Sequence, residues 1–317
     1  MATFTRLDNE ALLLLSGPDA LTFLQGQATC DTREISPERA IPGAYCTPQG
    51  RVVCDFLLLQ LGQDSYALRM RDSIAEHAAA VFGKYIVFSK AEITPAGDTW
   101  FSLGIWGDNA GATVTEVFGA CPDVQYASHC GEGFAVVQLD DHGEAFECCL
   151  RSADAEQYLE ALAQRLQPGE TGPWQAMQVS AGIARVEAAT VDEFVPQSLN
   201  YDLTGHVSFT KGCYTGQEVV ARLHYRGTPK RRTRLMTVAD DIDAAPADKV
   251  FSADKAQSVG DVLNSAPGPE GLLLLVAVAD KALDGPLHLG AQDGAVLTLQ
   301  ALPYTVDDVP DAASQGD

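Results

Sequence analysis

The sequence predicts an α+β protein built from two units of similar size, followed by a small all-β barrel or sandwich. Three observations carry this. Pairs of apolar, β-prone runs alternate with single helical patterns over the first two-thirds of the chain. Beyond Thr228-Pro229 only short strands separated by turns remain. The chain has 317 residues, too many for one ordinary core, and its 46% apolar and 20% charged residues mark a globular chain.

Residues 11–15 read as the first strand. Pro18 suits the first position of a helix whose apolar side is Leu21, Phe23 and Leu24 and which Gly26 can end. Residues 52–61 are strongly apolar, and Gly62-Gln63-Asp64 turns them into a second strand at 66–69, a hairpin. Ser73 and Glu76 have capping-box spacing, so a helix opens there and runs to about Phe82, and residues 86–88 return to strand. Residues 101–106, 134–139 and 145–150 are further strands. Ala155, Tyr158, Leu159, Leu162 and Leu166 fall at helical spacing, and Pro168-Gly169 closes that helix. The late strands are expected at 234–238, 250–252, 261–264, 272–278, 287–289 and 295–306. Residues 307–317, small and acidic, are expected to form a disordered tail.

Asp and Glu number 43 against 21 Lys and Arg, for a net charge of −22. Such a chain repels long polyanions, which argues against general binding of DNA, RNA or anionic membrane. The longest apolar run, residues 272–279, is far short of the roughly 18 residues of a spanning helix. The early run at 11–15 follows Asp8 and Glu10, unlike a secretory leader. A cytoplasmic protein is expected. The eight cysteines form no C-x-x-C pair, so no metal site is expected, and buried free thiols are the reading for most of them. Cys148 and Cys149, adjacent in a strand, should point to opposite faces.

One segment carries chemistry: Ser208-Phe209-Thr210-Lys211-Gly212-Cys213-Tyr214-Thr215-Gly216-Gln217-Glu218. Thr215 and Glu218 repeat the capping-box spacing, so a helix is expected just after Thr215, through Val219, Val220 and Leu223. Cys213 then lies before a helix N-terminus and near Lys211, and both favour a thiolate. The same residues also read as a tight turn with a passive cysteine. Gly212 and Gly216 let the backbone turn sharply and let a ligand come close. Arg222, Arg226, Lys230, Arg231, Arg232 and Arg234 follow with no acid between them. This island of +6 in a −28 background suits a small polyanion, an acidic tail or partner, or an RNA backbone, in preference to RNA an anionic tail or partner.

The run Lys211-Gly212-Cys213-Tyr214-Thr215-Gly216-Gln217-Glu218, followed by Arg222 and Arg226-Gly227, resembles the signature of the YgfZ family. These are folate-binding proteins related to the aminomethyltransferase of the glycine cleavage system, GcvT. Gln25-Gly26-Gln27-Ala28-Thr29 with Asp31, Tyr45-Cys46 to Gly50-Arg51, Lys84-Tyr85 with Val87-Phe88-Ser89-Lys90, Ala181-Gly182-Ile183, and Phe194-Val195-Pro196-Gln197 with Asn200 extend the resemblance. It implies two interleaved ferredoxin-like units over residues 1–228 and a β-barrel over 229–306, around a central opening for tetrahydrofolate or a derivative.

The resemblance implies support of iron–sulfur enzymes or their assembly proteins as partners and, through one such enzyme, methylthiolation of tRNA, with tRNA an indirect partner. Cys213 is then the functional thiol, and Asp55, Trp174, Gln197, Asn200 and Arg226 are the expected folate contacts. Trp174 is a stacking candidate or a core residue; Tyr201 and Phe209 are possible slot walls, and Trp100 and Trp106 read as core. The sequence departs from the aminomethyltransferases at Cys54-Asp55, where they carry paired aspartates. One carboxylate for proton handling is missing, and the Gln197 amide can pair with a pterin edge but cannot act as a base. A folate-binding factor without classical turnover is therefore expected. A folate-dependent aminomethyl or demethylating transferase and a direct tRNA-binding protein are the alternatives.

Overall fold

A computed structural model describes residues 2–239 and 241–306. The chain forms two compact units: Met1–Gly43 with Cys54–Thr171, and Ala44–Val53 with Gly172–Asp317. The strands and helices that build the first unit are β1 (Thr3–Arg6), β2 (Glu10–Ser16), α1 (Ala20–Gln25), β3 (Ile41–Cys46), β4 (Val52–Gly62), β5 (Ser65–Arg71), α2 (Asp72–Ile86), β6 (Glu92–Pro95), β7 (Trp100–Trp106), α3 (Ala110–Phe118), β8 (Ser128–Gly131), β9 (Phe134–Gln138), β10 (Ala145–Arg151), α4 (Ala155–Ala163) and β11 (Gln167–Pro168). The tip joining β3 to β4 belongs to the second unit.

The first unit holds two sheets, ordered β3-β4-β5-β2-β6 and β11-β1-β7-β10-β9-β8. The two sheets are interleaved in sequence, since β1 pairs with β7 and with β11 across the whole intervening sheet. Strand periodicity explains the packing. Phe146, Cys148 and Leu150 of β10 join one apolar cluster with Val114, Phe118 and Leu162 of the helices. Cys149, on the other face, joins Leu12, Leu57, Leu59 and Val137 in a second cluster. The adjacent cysteines thus do point to opposite faces.

Charges are buried in the same layer. Arg69 lies 3.4 Å from Glu10 and 2.9 Å from Glu147, and Arg71 lies 2.8 Å from Glu10. All four side chains are almost fully enclosed, and the two guanidiniums balance the two carboxylates. At the exit of α1, Gln25 donates to Asp31, accepts from the Thr32 amide at 2.8 Å, and accepts from the Thr32 hydroxyl at 2.8 Å. The Arg33 guanidinium holds the Asp31 carboxyl well below its usual range. The 25–31 motif is thus a clasp that fixes the chain after a short helix.

The second unit holds α5 (Thr171–Ser180), α6 (Gln217–Arg226) and β12 (Arg232–Val238), β13 (Lys249–Ser252), β14 (Gly260–Gly268), β15 (Gly271–Val278), β16 (Leu287–Leu289) and β17 (Ala295–Gln300). The six strands close into a barrel, β12-β15-β14-β13-β16-β17, around Met236, Val262, Leu274, Val276 and Leu287. Closure leaves no edge strand, which lets such short strands stay folded.

Several expectations are corrected. α2 starts at Asp72 behind Arg71, with no side-chain cap, and runs to Ile86. Its buried stripe of Ile74, Ala78, Phe82 and Ile86 continues past the expected end, so residues 86–88 are helix end and turn. The strand follows at Glu92–Pro95, where Pro95 is tolerated on a sheet edge. The helix at 155 ends at Ala163, and Pro168 pairs as an edge strand with Phe4. β17 ends at Gln300. The main stretch of the second compact unit begins at Gly172, and residues 182–200 within it are bonded to the barrel. Asn264 accepts from the Arg185 amide at 2.8 Å and donates to the Arg185 carbonyl at 2.9 Å. The expected tail at 307–317 lies outside the described residues.

Candidate functional site

The 208–218 loop is shaped by two glycines. Gly216, with φ +83°, is the residue before α6, and a Cβ there would lie 2.4 Å from the Thr47 carbonyl. Gly50, with φ +73°, closes the turn Thr47–Arg51, and a Cβ there would strike Val219. The hairpin turn and the helix start therefore meet backbone to backbone, a contact that side chains would prevent. Gly216 takes the position expected of a capping Thr215, and no side chain caps α6.

The loop alternates anchors and exposed groups. Lys211 and Tyr214 are buried, with the Lys211 ammonium 5.1 Å from the Tyr214 ring centroid. Burial pushes the Tyr214 hydroxyl pKa up. Between them Gly212 and Cys213 are exposed, and the space a Gly212 Cβ would fill is open. Gln217 and Glu218 stand in the first turn of α6, where an acid favours the helix dipole. Cys213 is the one exposed thiol among the eight cysteines; Cys121 and Cys130 are half-buried and the rest buried. Burial drives Cys46 and Cys149 up to about 12 and Cys130 up to about 11.

Beside this loop, Phe209 stacks on His224 at 3.7 Å, and Tyr225 meets both rings edge-on. Phe209 is thus committed to the helix. Tyr201 is fully buried, donates to the Ala184 carbonyl at 2.8 Å and stacks on His206.

The expected ligand contacts divide. Gln197 sits in the 3-10 turn Pro196–Leu199, donates to the Val220 carbonyl at 2.8 Å, and keeps a buried Oε1 with no hydrogen-bond partner among the described residues. Asn200, left-handed at φ +58°, donates to the Thr233 carbonyl at 2.9 Å and accepts from the Thr233 amide at 3.3 Å. Its amide, expected at a ligand, is spent on holding β12. Trp174 is enclosed in α5 and presents no open ring face. Arg226 is exposed at the end of α6. Asp55 is buried within β4, next to the buried Cys54.

The basic island is smaller in space than in sequence. Arg232 is buried and pairs with Asp202 at 2.6 Å, Arg234 pairs with Asp280 at 2.6 Å, and Arg231 pairs with Asp261. Only Arg222, Arg226 and Lys230 stand exposed without a carboxylate partner among the described residues. Folding brings in acids that the local sequence lacks. Among the described residues there is no group of three or more His, Cys, Asp or Glu that could hold a metal ion, and no helix long and apolar enough to cross a membrane.

Residues 7–133 match the GCVT N-terminal domain family. The tRNA-modifying protein YgfZ of Yersinia pseudotuberculosis serotype O:1b (strain IP 31758) is 31% identical over 308 residues, spanning 96% of this chain and 93% of that protein. Its namesake from Yersinia enterocolitica serotype O:8 / biotype 1B is 31% identical over 310 residues, with the same coverage. Among solved structures, glycine cleavage system aminomethyltransferase T from Bartonella henselae has the same fold. It aligns with a TM-score of 0.76 at 15% identity, over 96% of this chain and 86% of that one.

Proposed function

The chain belongs to the YgfZ family, and from that premise we propose that it is a folate-binding factor that supports iron–sulfur enzymes in the cytoplasm and, through one of them, the modification of tRNA by methylthiolation. The observation that carries this reading is likeness to proteins named for tRNA modification along 96% of the chain. The exposed Cys213, held between buried Lys211 and Tyr214, is the thiol that serves the partner enzyme.

Tetrahydrofolate supplies a one-carbon carrier with a polar pterin edge. The buried Gln197 Oε1, an acceptor left over by the protein, suits the donor groups of such an edge. Gln197 would orient the ring and would move no proton, because an amide is no base. Arg226, in the same unit as Gln197, would supply a cation for the glutamate end. Calorimetry with tetrahydrofolate tests the binding: Gln197→Leu should lose affinity, and no heat at high micromolar folate would remove this reading. Expression in a bacterium lacking its own YgfZ tests the rest. The wild-type chain should restore the methylthiolated nucleosides of tRNA, and Cys213→Ser should not.

The fold shared with an aminomethyltransferase favours a second reading, a folate-dependent aminomethyl or demethylating transferase. Cys54 beside Asp55 counts against it, since a paired carboxylate is replaced by a buried thiol. Turnover of an aminomethyl donor at an enzyme-like rate would reverse the order. Direct tRNA binding ranks last, because three cations of the basic island are already paired.

A further inference from the structure

The second unit contains a pocket of about 650 Å³ that no part of the proposed function uses. Arg51, Lys230, Arg231 and Lys249 line it, together with apolar side chains that include Phe194 and Leu223. Two carboxylates stand against the four cations, those of Glu193 and Asp261. Arg231 and Lys249 share Asp261, and Arg51 donates to the Glu193 carbonyl oxygen. Arg51 and Lys230 keep their charges without a carboxylate partner among the described residues. The pocket therefore carries an excess of two positive charges in a chain of net charge −22.

We propose that this pocket binds a small phosphorylated metabolite with a flat apolar body, of the nucleoside monophosphate class. The charge excess matches a phosphate monoester dianion. Arginine and lysine give a phosphate both a planar fork and a mobile point charge. The volume and the mixed lining suit one such molecule. A long polyanion fits poorly, because the strongly acidic remainder of the chain repels it. The proposal stands independently of the folate reading, whose Gln197 is not among the lining residues.

Calorimetric titration of the full chain with AMP, adenosine and inorganic phosphate is the test. AMP should bind saturably at one site, more tightly than either fragment, and more weakly as salt rises from about 50 to about 200 mM. Lys230→Glu should weaken AMP at least about tenfold, since it reverses one of the two unpaired rim cations. Arg222→Glu, which makes the same charge change outside the pocket, should leave AMP affinity within about twofold. The proposal is overturned by absence of saturable AMP binding, by equal loss in the two variants, or by displacement of AMP with stoichiometric tetrahydrofolate. It is equally overturned if a short RNA binds through Lys230 while AMP does not.

Discussion

Replacing Arg69 by methionine should destabilise the first unit more than any single change on the surface. Arg69 is buried between Glu10 at 3.4 Å and Glu147 at 2.9 Å. At the closer spacing the Coulomb attraction is about 6 kcal/mol with an effective dielectric of about 20, before desolvation is counted. Removing one partner of such a buried pair leaves a desolvated charge behind and costs about 3–5 kcal/mol. Arg69→Met removes a cation from beside both Glu10 and Glu147, and Arg71 stays 2.8 Å from Glu10. Removing both charges, in Arg69→Met with Glu147→Leu, should return stability to within about 1 kcal/mol of the parent, because apolar groups can fill the same space. Trp100 and Trp106 lie on β7, beside β10, so two of the three tryptophans report this unit by fluorescence. Urea unfolding followed at those residues should show the single variant unfolding at much lower denaturant than the double. A single variant that loses less than about 1 kcal/mol, or a double no better than the single, would refute the reasoning.

Iodoacetamide at pH 8 should label Cys213 first, as read by mass spectrometry; a thiol held near 11, like Cys130, is ionised only to about one part in a thousand there. Equal labelling of Cys148 or Cys149 would exclude a selectively accessible Cys213. Burial raises the Cys46 and Cys149 thiols from 9.0 to about 12, so the folded chain keeps protons that the unfolded chain releases. Their contribution is complete below about pH 9 and is lost as pH rises toward 12, so the urea midpoint should fall over that range; a flat midpoint contradicts it. Asn264→Ala should cost about 1–3 kcal/mol by removing both side-chain bonds to the Arg185 backbone, and Asn264→Asp should recover only the bond to the Arg185 amide. Thermal unfolding of both variants measures the difference.

Much of the fold was legible because strand and helix periods differ. The alternation of Phe146, Cys148 and Leu150 with Glu147 and Cys149 places two faces of one strand without any structure. The missed elements are those whose signals are weak or shared. α3 carries Gly111 and four threonine or valine residues with low helix propensity, and it forms because Ala110, Val114 and Phe118 pack on the sheet. β1 and β11 are too short to read without their partners. The charges of Arg69, Arg71 and Glu147 within apolar strands were a readable sign of a buried ion network, since lone charges in such runs must find partners.

The turn of the 208–218 loop was legible from its glycines, and the basic island was misleading where charge alone was counted. Gly216 was flagged as a turn, and the reason is now specific: the Thr47 carbonyl occupies the place of its Cβ. That contact ties the hairpin turn to the Cys213 loop, two motifs separated by some 160 residues of sequence that could not be joined by reading along the chain. The island at 222–234 held no acid, yet Asp202, Asp261 and Asp280 each reach one of its arginines across a turn or a barrel strand. Conversely, Arg51 and Lys249 lie far from the island in sequence but share a pocket with Lys230 and Arg231. Electrostatic sites are sums over space, so a local charge count overstates Arg232 and overlooks Arg51. It follows that neutralising Arg232, which is buried and donates to both Asp202 and the Gln197 carbonyl, should lower stability before it lowers affinity for any anion. Arg232→Met should therefore unfold at lower urea, whereas Lys230→Glu should unfold like the parent. If both variants fold equally well, the separation of structural from ligand-facing cations in this segment is wrong.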